Sequence, residues 1–145
     1  MPRTDFYILA DNTDLSRFVC NITSKAWKQG HSLHILVDSK EQANTLDDLL
    51  WTFQDISFVP HALESDPQSE IMPITIGWED KPKGDDVLVN LTETVPASAS
   101  TYQRIVEFVA GNDSMRQQAR QRYKQYRESG FEMHSHDMAN GQESA

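Results

Sequence analysis

The pattern that most restricts how this chain can fold is an alternation. Short apolar runs (DFYIL at 5–9, LHILV at 33–37, ITIGW at 74–78 and DVLVNL at 86–91) are separated by stretches of helical spacing or of turn residues. Runs this short, flanked by turn formers, suit buried strands. After the first, Leu15, Phe18, Val19, Ile22 and Ala26 recur at helical intervals and Gly30 follows as a stop, so 13–29 reads as a helix. Ser39 with Gln42 three places on is a capping-box pattern. It opens a helix through Ala43, Leu46, Leu49 and Leu50 that ends near Trp51. ISFVPH at 56–61 is a brief strand closed by Pro60. Residues 62–73 and the turn-rich EDKPKGD at 79–85 are loops. Beyond Pro96, Ser98 or Ser100 is expected to cap a helix through Ile105, Val106 and Val109, stopped by Gly111. Asn112 or Asp113 caps a last helix over about 114–128, ended by Gly130.

Strands alternating with helices predict an α/β fold, a three-layer αβα sandwich around a mostly parallel sheet. The loops at 62–73 and 79–85 are too short for helical crossovers and leave room for one antiparallel strand. The 145 residues fit a single α/β domain over 1–131. The remainder, EMHSHDMANGQESA at 132–145, is so polar that a disordered tail is expected. One cysteine, Cys20, forms no internal disulfide, and no apolar run reaches bilayer length. With no signal-peptide pattern, the expected location is cytoplasmic.

The devices of nucleotide chemistry are missing. There is no GxxxxGK(S/T), no GxGxxG after a strand and no GxSxG. The turn after the first strand, ADNTD, offers carboxylates where a phosphate loop would offer backbone N–H groups. His31, His34 and Cys20 read as packing or surface residues, His134, His136 and Asp137 as part of the polar tail, and Asp47 and Asp48 as a solvated helix face. The sequence predicts no catalytic constellation, no metal and no cofactor.

What remains is a contrast of charge. The chain carries a formal net charge of −9, yet RQQARQRYKQYR at 116–127 holds five basic residues and no acid. On a helical wheel with Arg116 at zero, Tyr123 falls near about −20°, Arg127 near 20°, Arg120 near 40° and Lys124 near 80°. Met115, Ala119 and Tyr126 fall on another side and are expected to pack on the core. Arg122 lies apart and is expected to snorkel past the packed edge. Ordinary solvated helix faces mix both signs, so a one-sign stripe points to an anionic partner. An acidic peptide with a free carboxylate suits cations beside an aromatic ring. Single-stranded nucleic acid is the alternative ligand, opposed by the net charge. Trp51, Phe53 and Phe58 form a second cluster, divided between core packing and a protein interface.

Taken in order, these segments resemble the chi subunit of the bacterial DNA polymerase III holoenzyme, a clamp-loader accessory protein. The resemblance rests on FYIL at 6–9, the helix with Cys20 and Trp27, LDDLLW at 46–51, SFVPH at 57–61, IGW with DVLVNL, and ARQRYKQYRESGF at 119–131. It implies a non-enzymatic bridge that contacts DNA indirectly. One partner would be the acidic C-terminal tail of single-stranded DNA-binding protein; the other, in a heterodimer, would be the psi subunit. By position it implies tail binding by Arg116, Arg120, Tyr123 and Lys124, beside Arg127 of the same stripe, and a psi interface around Phe58 with Trp51 nearby. It also implies a nucleotide-binding-like fold without a working phosphate loop.

Overall fold

A computed structural model describes residues 2–52, 60–70, 72–81 and 84–138. Seven strands form one sheet: β1 (Arg3–Ile8), β2 (Leu33–Leu36), β3 (His61–Leu63), β4 (Ile74–Gly77), β5 (Val87–Asn90), β6 (Arg104–Val109) and β7 (Glu132–Asp137). Their order across the sheet is β3-β4-β2-β5-β6-β1-β7, and every pairing is parallel. The antiparallel strand allowed for above does not occur among the described residues: β4 and β5 both run parallel to β2. Among the described residues three α-helices flank the sheet, α1 (Leu15–Lys28), α2 (Lys40–Thr52) and α3 (Asp113–Glu128), with two short 3-10 turns at Pro67–Glu70 and Ala97–Thr101.

The layers follow from strand alternation. Consecutive residues of a strand face opposite sides, so Ile35, Val89 and Val106 join one core with Val19, Cys20, Ala43, Leu46 and Leu50 from α1 and α2. Their neighbours Leu36, Leu88 and Ile105 join the other, with Phe6 and with Ala119 and Tyr126 from α3. Local signals set the helix ends. Ser39 and Gln42 bond reciprocally, Gln42 N–H to Ser39 Oγ at 3.2 Å and Ser39 N–H to Gln42 Oε1 at 3.1 Å, as the capping box requires. Asn112 Oδ1 accepts from Met115 N–H at 2.9 Å and starts α3.

Two expectations are corrected. RIVEFV at 104–109 is β6, not a helix. Ile105, Val106 and Val109 fit helical spacing, but both sides of this segment are buried between the two cores, the condition of an inner parallel strand. Likewise 132–137 is not a tail but β7, an edge strand paired with β1 from Arg3↔Glu132 to Ile8↔Asp137. The helix before it ends at Gly130, whose φ of 89° only glycine adopts without strain. Phe131 N–H then bonds the Tyr126 carbonyl at 3.2 Å and its ring packs edge-on to Tyr126, aiming the chain into the sheet. An edge position needs no apolar partner on its outer side, which is why a polar sequence serves. The strand predicted at 56–61 lies mostly outside the described residues; the observed β3 begins at its last residue, His61.

Candidate functional site: the outer face of the third helix

The side chains that hold α3 determine what it can offer to solvent. Ala119 and Tyr126 are buried on its inner face, as expected, whereas Met115 is 46% exposed. Tyr126 reaches a carboxylate the sequence reading missed. Glu107 of β6 is fully buried and accepts three hydrogen bonds: from Asn90 Nδ2 at 2.6 Å, Tyr126 Oη at 2.8 Å and Arg122 Nε at 3.1 Å. Burial pushes its pKa above the ordinary carboxylate value; the Arg122 charge and the bonds from Asn90, Tyr126 and Arg122 oppose that without cancelling it. Arg122 therefore does not snorkel. It is an inward ion pair, and its Nη1 also donates to the Glu93 carbonyl at 3.2 Å. A lone Glu inside an apolar strand was the available signal, obscured once the segment was read as a helix.

The five stripe residues divide. Arg116 is turned inward, its side chain only 13% exposed. Its Nη2 donates to the Leu9 carbonyl at 2.8 Å, its Nε to the Gly111 carbonyl at 3.0 Å, and Asp11 lies at 3.3 Å. It ties together the C-terminal ends of β1 and β6, where the chain departs to opposite faces of the sheet. Arg120 and Arg127 are exposed and make no ion pair with any described residue. Lys124 is exposed with Glu128 one turn on, at 4.0 Å. Tyr123 is half-buried, its ring edge-on to Phe6 at 5.1 Å, which leaves its outer rim beside the cations. The outward stripe is thus Arg120, Tyr123, Lys124 and Arg127, with Arg116 anchored beneath one end.

The second predicted surface is half visible. Trp51, at the end of α2, is 49% exposed, and its ring lies 4.3 Å from that of His61. His61 is buried, with Nε2 at 3.1 Å from both the side-chain Oδ1 and the main-chain oxygen of Asp47. Asp47, read from the sequence as part of a solvated face, instead joins α2 to β3. Phe53 and Phe58 lie outside the described residues. Of the other candidates, Cys20 is buried in the core. His34 is buried with Nδ1 at 2.6 Å from Thr75 Oγ1. His136, expected in a tail, sits on β7 with Nε2 at 2.8 Å from Asp5. Among the described residues no cluster of His, Cys, Asp and Glu is arranged to hold a metal, and no helix is long and apolar enough to cross a membrane.

These features define a class: a nucleotide-binding-like α/β domain with an acidic turn after its first strand and a cationic last helix. The same fold occurs in T4 UvsW (TM-score 0.63, 8% identity) and in yeast Dbp5 bound to RNA and ADP-beryllium fluoride (TM-score 0.60, 12% identity). This chain is covered to 94% and 95%, but it spans only 42% of each of those chains. Residues 1–134 match the family described as DNA polymerase III chi subunit, HolC, and the chain belongs to that family. It is 33% identical over 140 residues to DNA polymerase III subunit chi of Pseudomonas aeruginosa, covering 94% of this chain and 96% of the relative. The Escherichia coli chi subunit is 32% identical over 143 residues, with coverage of 93% and 97%. The Haemophilus influenzae chi subunit is 34% identical over 132 residues, with coverage of 88% and 92%. The chain is accordingly an accessory subunit of the replicative polymerase.

Proposed function

We propose that this subunit is a non-catalytic adaptor. Its third helix takes the acidic C-terminal tail of single-stranded DNA-binding protein, and the surface around Trp51 and Phe58 holds the psi subunit, and through it the clamp loader. The observation that carries the first half is the outward face of α3: in an acidic protein, Arg120 and Arg127 stand exposed and without an acid among the described residues, beside Lys124 and the rim of Tyr123. Guanidinium and ammonium groups on one helix face, next to an aromatic edge, suit a chain end that carries carboxylates and one apolar residue. Arg116 serves this reading as an anchor of the helix rather than as a primary contact.

The test is a calorimetric titration with a synthetic acidic peptide ending in a free-carboxylate phenylalanine, repeated with that carboxylate amidated. Hydrogen bonds to charged groups contribute about 1.5–3 kcal/mol each. Arg120→Ala and Lys124→Ala are therefore each expected to weaken binding about tenfold or more. Unchanged affinity in both variants removes this helix from the site. Trp51→Ala and Phe58→Ala should weaken psi binding and leave the peptide isotherm alone. Binding of a bare oligonucleotide with a steep salt slope would replace the adaptor reading with direct single-strand binding.

A further inference from the structure

A cavity of about 500 Å³ opens where the carboxyl ends of β2, β5 and β6 meet the three long helices. Its position follows from the topology. β2 and β5 are parallel neighbours, yet their outgoing connections part. The chain leaving β2 enters α2, whose Ala43, Leu46 and Leu50 pack on one face of the sheet. The chain leaving β5 enters the turn Ala97–Thr101, whose Ala99 packs on the other. Connections that part in this way leave a crevice outside the strand ends, and open α/β sheets take their ligands there. Val37 and Asp38 after β2, and Leu91 to Glu93 after β5, border that crevice here. Small-molecule sites usually measure about 300–1,000 Å³, and this cavity falls inside that range.

The lining divides by burial. Val19, Val37, Leu46, Phe108 and Ala110 are buried and form an apolar floor. Met115 stands at the rim, one of the two large hydrophobic side chains most exposed among the described residues. A flexible thioether adapts to the shape of what packs on it. Asp38, Glu41 and Glu93 line the same cavity, exposed and without an ion pair to any described residue. The one cation among the described lining residues is Arg122, and it is drawn back: Nε donates to the Glu107 carboxylate at 3.1 Å and Nη1 to the Glu93 carbonyl at 3.2 Å. Arg17 and Lys40, next in sequence to lining residues, do not line it. Partial burial and the Glu93 charge hold the Asp38 pKa above the ordinary carboxylate value, although a main-chain bond from Glu93 and the Arg122 charge pull the other way. A carboxylate held so beside a like charge gains from a cation placed next to it.

We propose that this cavity binds a small organic cation, an ammonium group carried on an apolar body, with the body on the floor and the ammonium at Asp38 and Glu93. Charge complementarity selects this occupant. An anionic ligand meets three acids at the mouth, a neutral one gains nothing from them, and a bare metal ion makes no use of the floor. The site is separate from the outward stripe of α3 and does not depend on what that stripe binds.

The experiment is an amide NMR titration of the full chain at neutral pH with phenethylamine, and with three comparison compounds. Phenethyl alcohol keeps the apolar body without the charge, phenylpropionate reverses the charge, and spermidine keeps the charge without a compact apolar body. Saturable shifts at Asp38, Leu46, Leu91 and Ala110 are expected with phenethylamine. The alcohol should bind about tenfold more weakly, since two exposed charge pairs are lost, and phenylpropionate more weakly still. Asp38→Asn and Glu93→Gln should each weaken phenethylamine about two- to fivefold, and together about tenfold. Affinity for the alcohol should stay the same in these variants, which separates lost charge from a damaged cavity. Five results overturn the proposal. Phenylpropionate binds as tightly as the amine; spermidine reproduces the lining shifts with equal affinity; the double variant binds the amine as tightly as the unaltered protein. The lining shifts on dilution of the protein alone, which makes a second copy the occupant. The lining stays unmoved by phenethylamine, whether or not an amphipathic leucine–lysine peptide then saturates it as a partner segment.

Discussion

The buried carboxylate under α3 supports a quantitative prediction. Glu107→Ala removes the acceptor of three donors at once: Asn90, which is 1% exposed, the Tyr126 hydroxyl, in a residue with no exposure, and the Arg122 guanidinium, in a side chain 11% exposed. The Tyr126 hydroxyl has no exposure through which water could replace that acceptor. Removing one member of a buried ion pair costs about 3–5 kcal/mol, largely because the other charge is left without compensation. For a domain of this size each kcal/mol lowers Tm by about 2–4 °C, so a fall of about 6–20 °C is expected. Urea denaturation followed by circular dichroism gives the free energy directly. Adding Arg122→Met to Glu107→Ala should cost little more, since it removes the stranded cation. The sign of the pH effect is a separate check. Glu107 has a pKa above that of the unfolded chain, mainly through burial. Just above the ordinary value of 4.5 the folded state therefore keeps a proton that the unfolded state has released. Stability contributed by this group falls as pH rises through that window and levels off beyond the folded pKa. Glu107→Gln should flatten that slope. A loss below about 1 kcal/mol in Glu107→Ala, with an unchanged urea slope, would refute the reasoning, because a satisfied buried pair cannot be that cheap to break.

Three further outcomes are expected. Gly77→Ala places a Cβ 2.8 Å from Glu64 Oε2 and 2.9 Å from His34 Cε1, so it should destabilise by about 1–3 kcal/mol in the same urea assay. Cys20, buried in the core with its thiol pushed up to about 11 by burial, should react with a thiol reagent at neutral pH only at the rate of unfolding, and rapidly in denaturant. Burial, the largest single influence on Asp5, pushes its pKa up, but the bonds from Arg3 and His136 and the charge of Arg104 outweigh it and leave it below the usual 3.8. Its stabilisation is present above the unfolded pKa and is lost as pH falls through the folded one, so Asp5→Asn should remove part of the acid-side decline.

Most of the layer architecture was legible in the chain. The run at 5–9 overlaps β1, those at 33–37, 74–78 and 86–91 contain β2, β4 and β5, and caps and glycines marked all three long helices. The misreadings have two physical origins. In β6, Ile105, Val106 and Val109 fit helical spacing, and only burial on both faces of an inner strand, between β5 and β1, shows otherwise. In β7 the pairing energy comes from backbone bonds to β1, which side-chain polarity does not reveal. The site was legible in outline. Helical geometry placed the cations together, but it could not show that the main-chain oxygens of Leu9 and Gly111 claim Arg116, or that Arg122 answers a carboxylate fifteen residues earlier in the chain.

The placement of β1 has a consequence for synthesis. Its two sheet neighbours are β6 and β7, supplied by residues 104–109 and 132–137. Of the described strands, the earliest in the chain is therefore flanked by the two latest. A nascent chain that has emerged only as far as residue 103 has made β1 but has no strand to lay it against, and its apolar FYIL segment must wait. Folding of such a topology is dominated by long-range pairings and is slow. Until residues 104–109 emerge, that segment stays without its sheet partner.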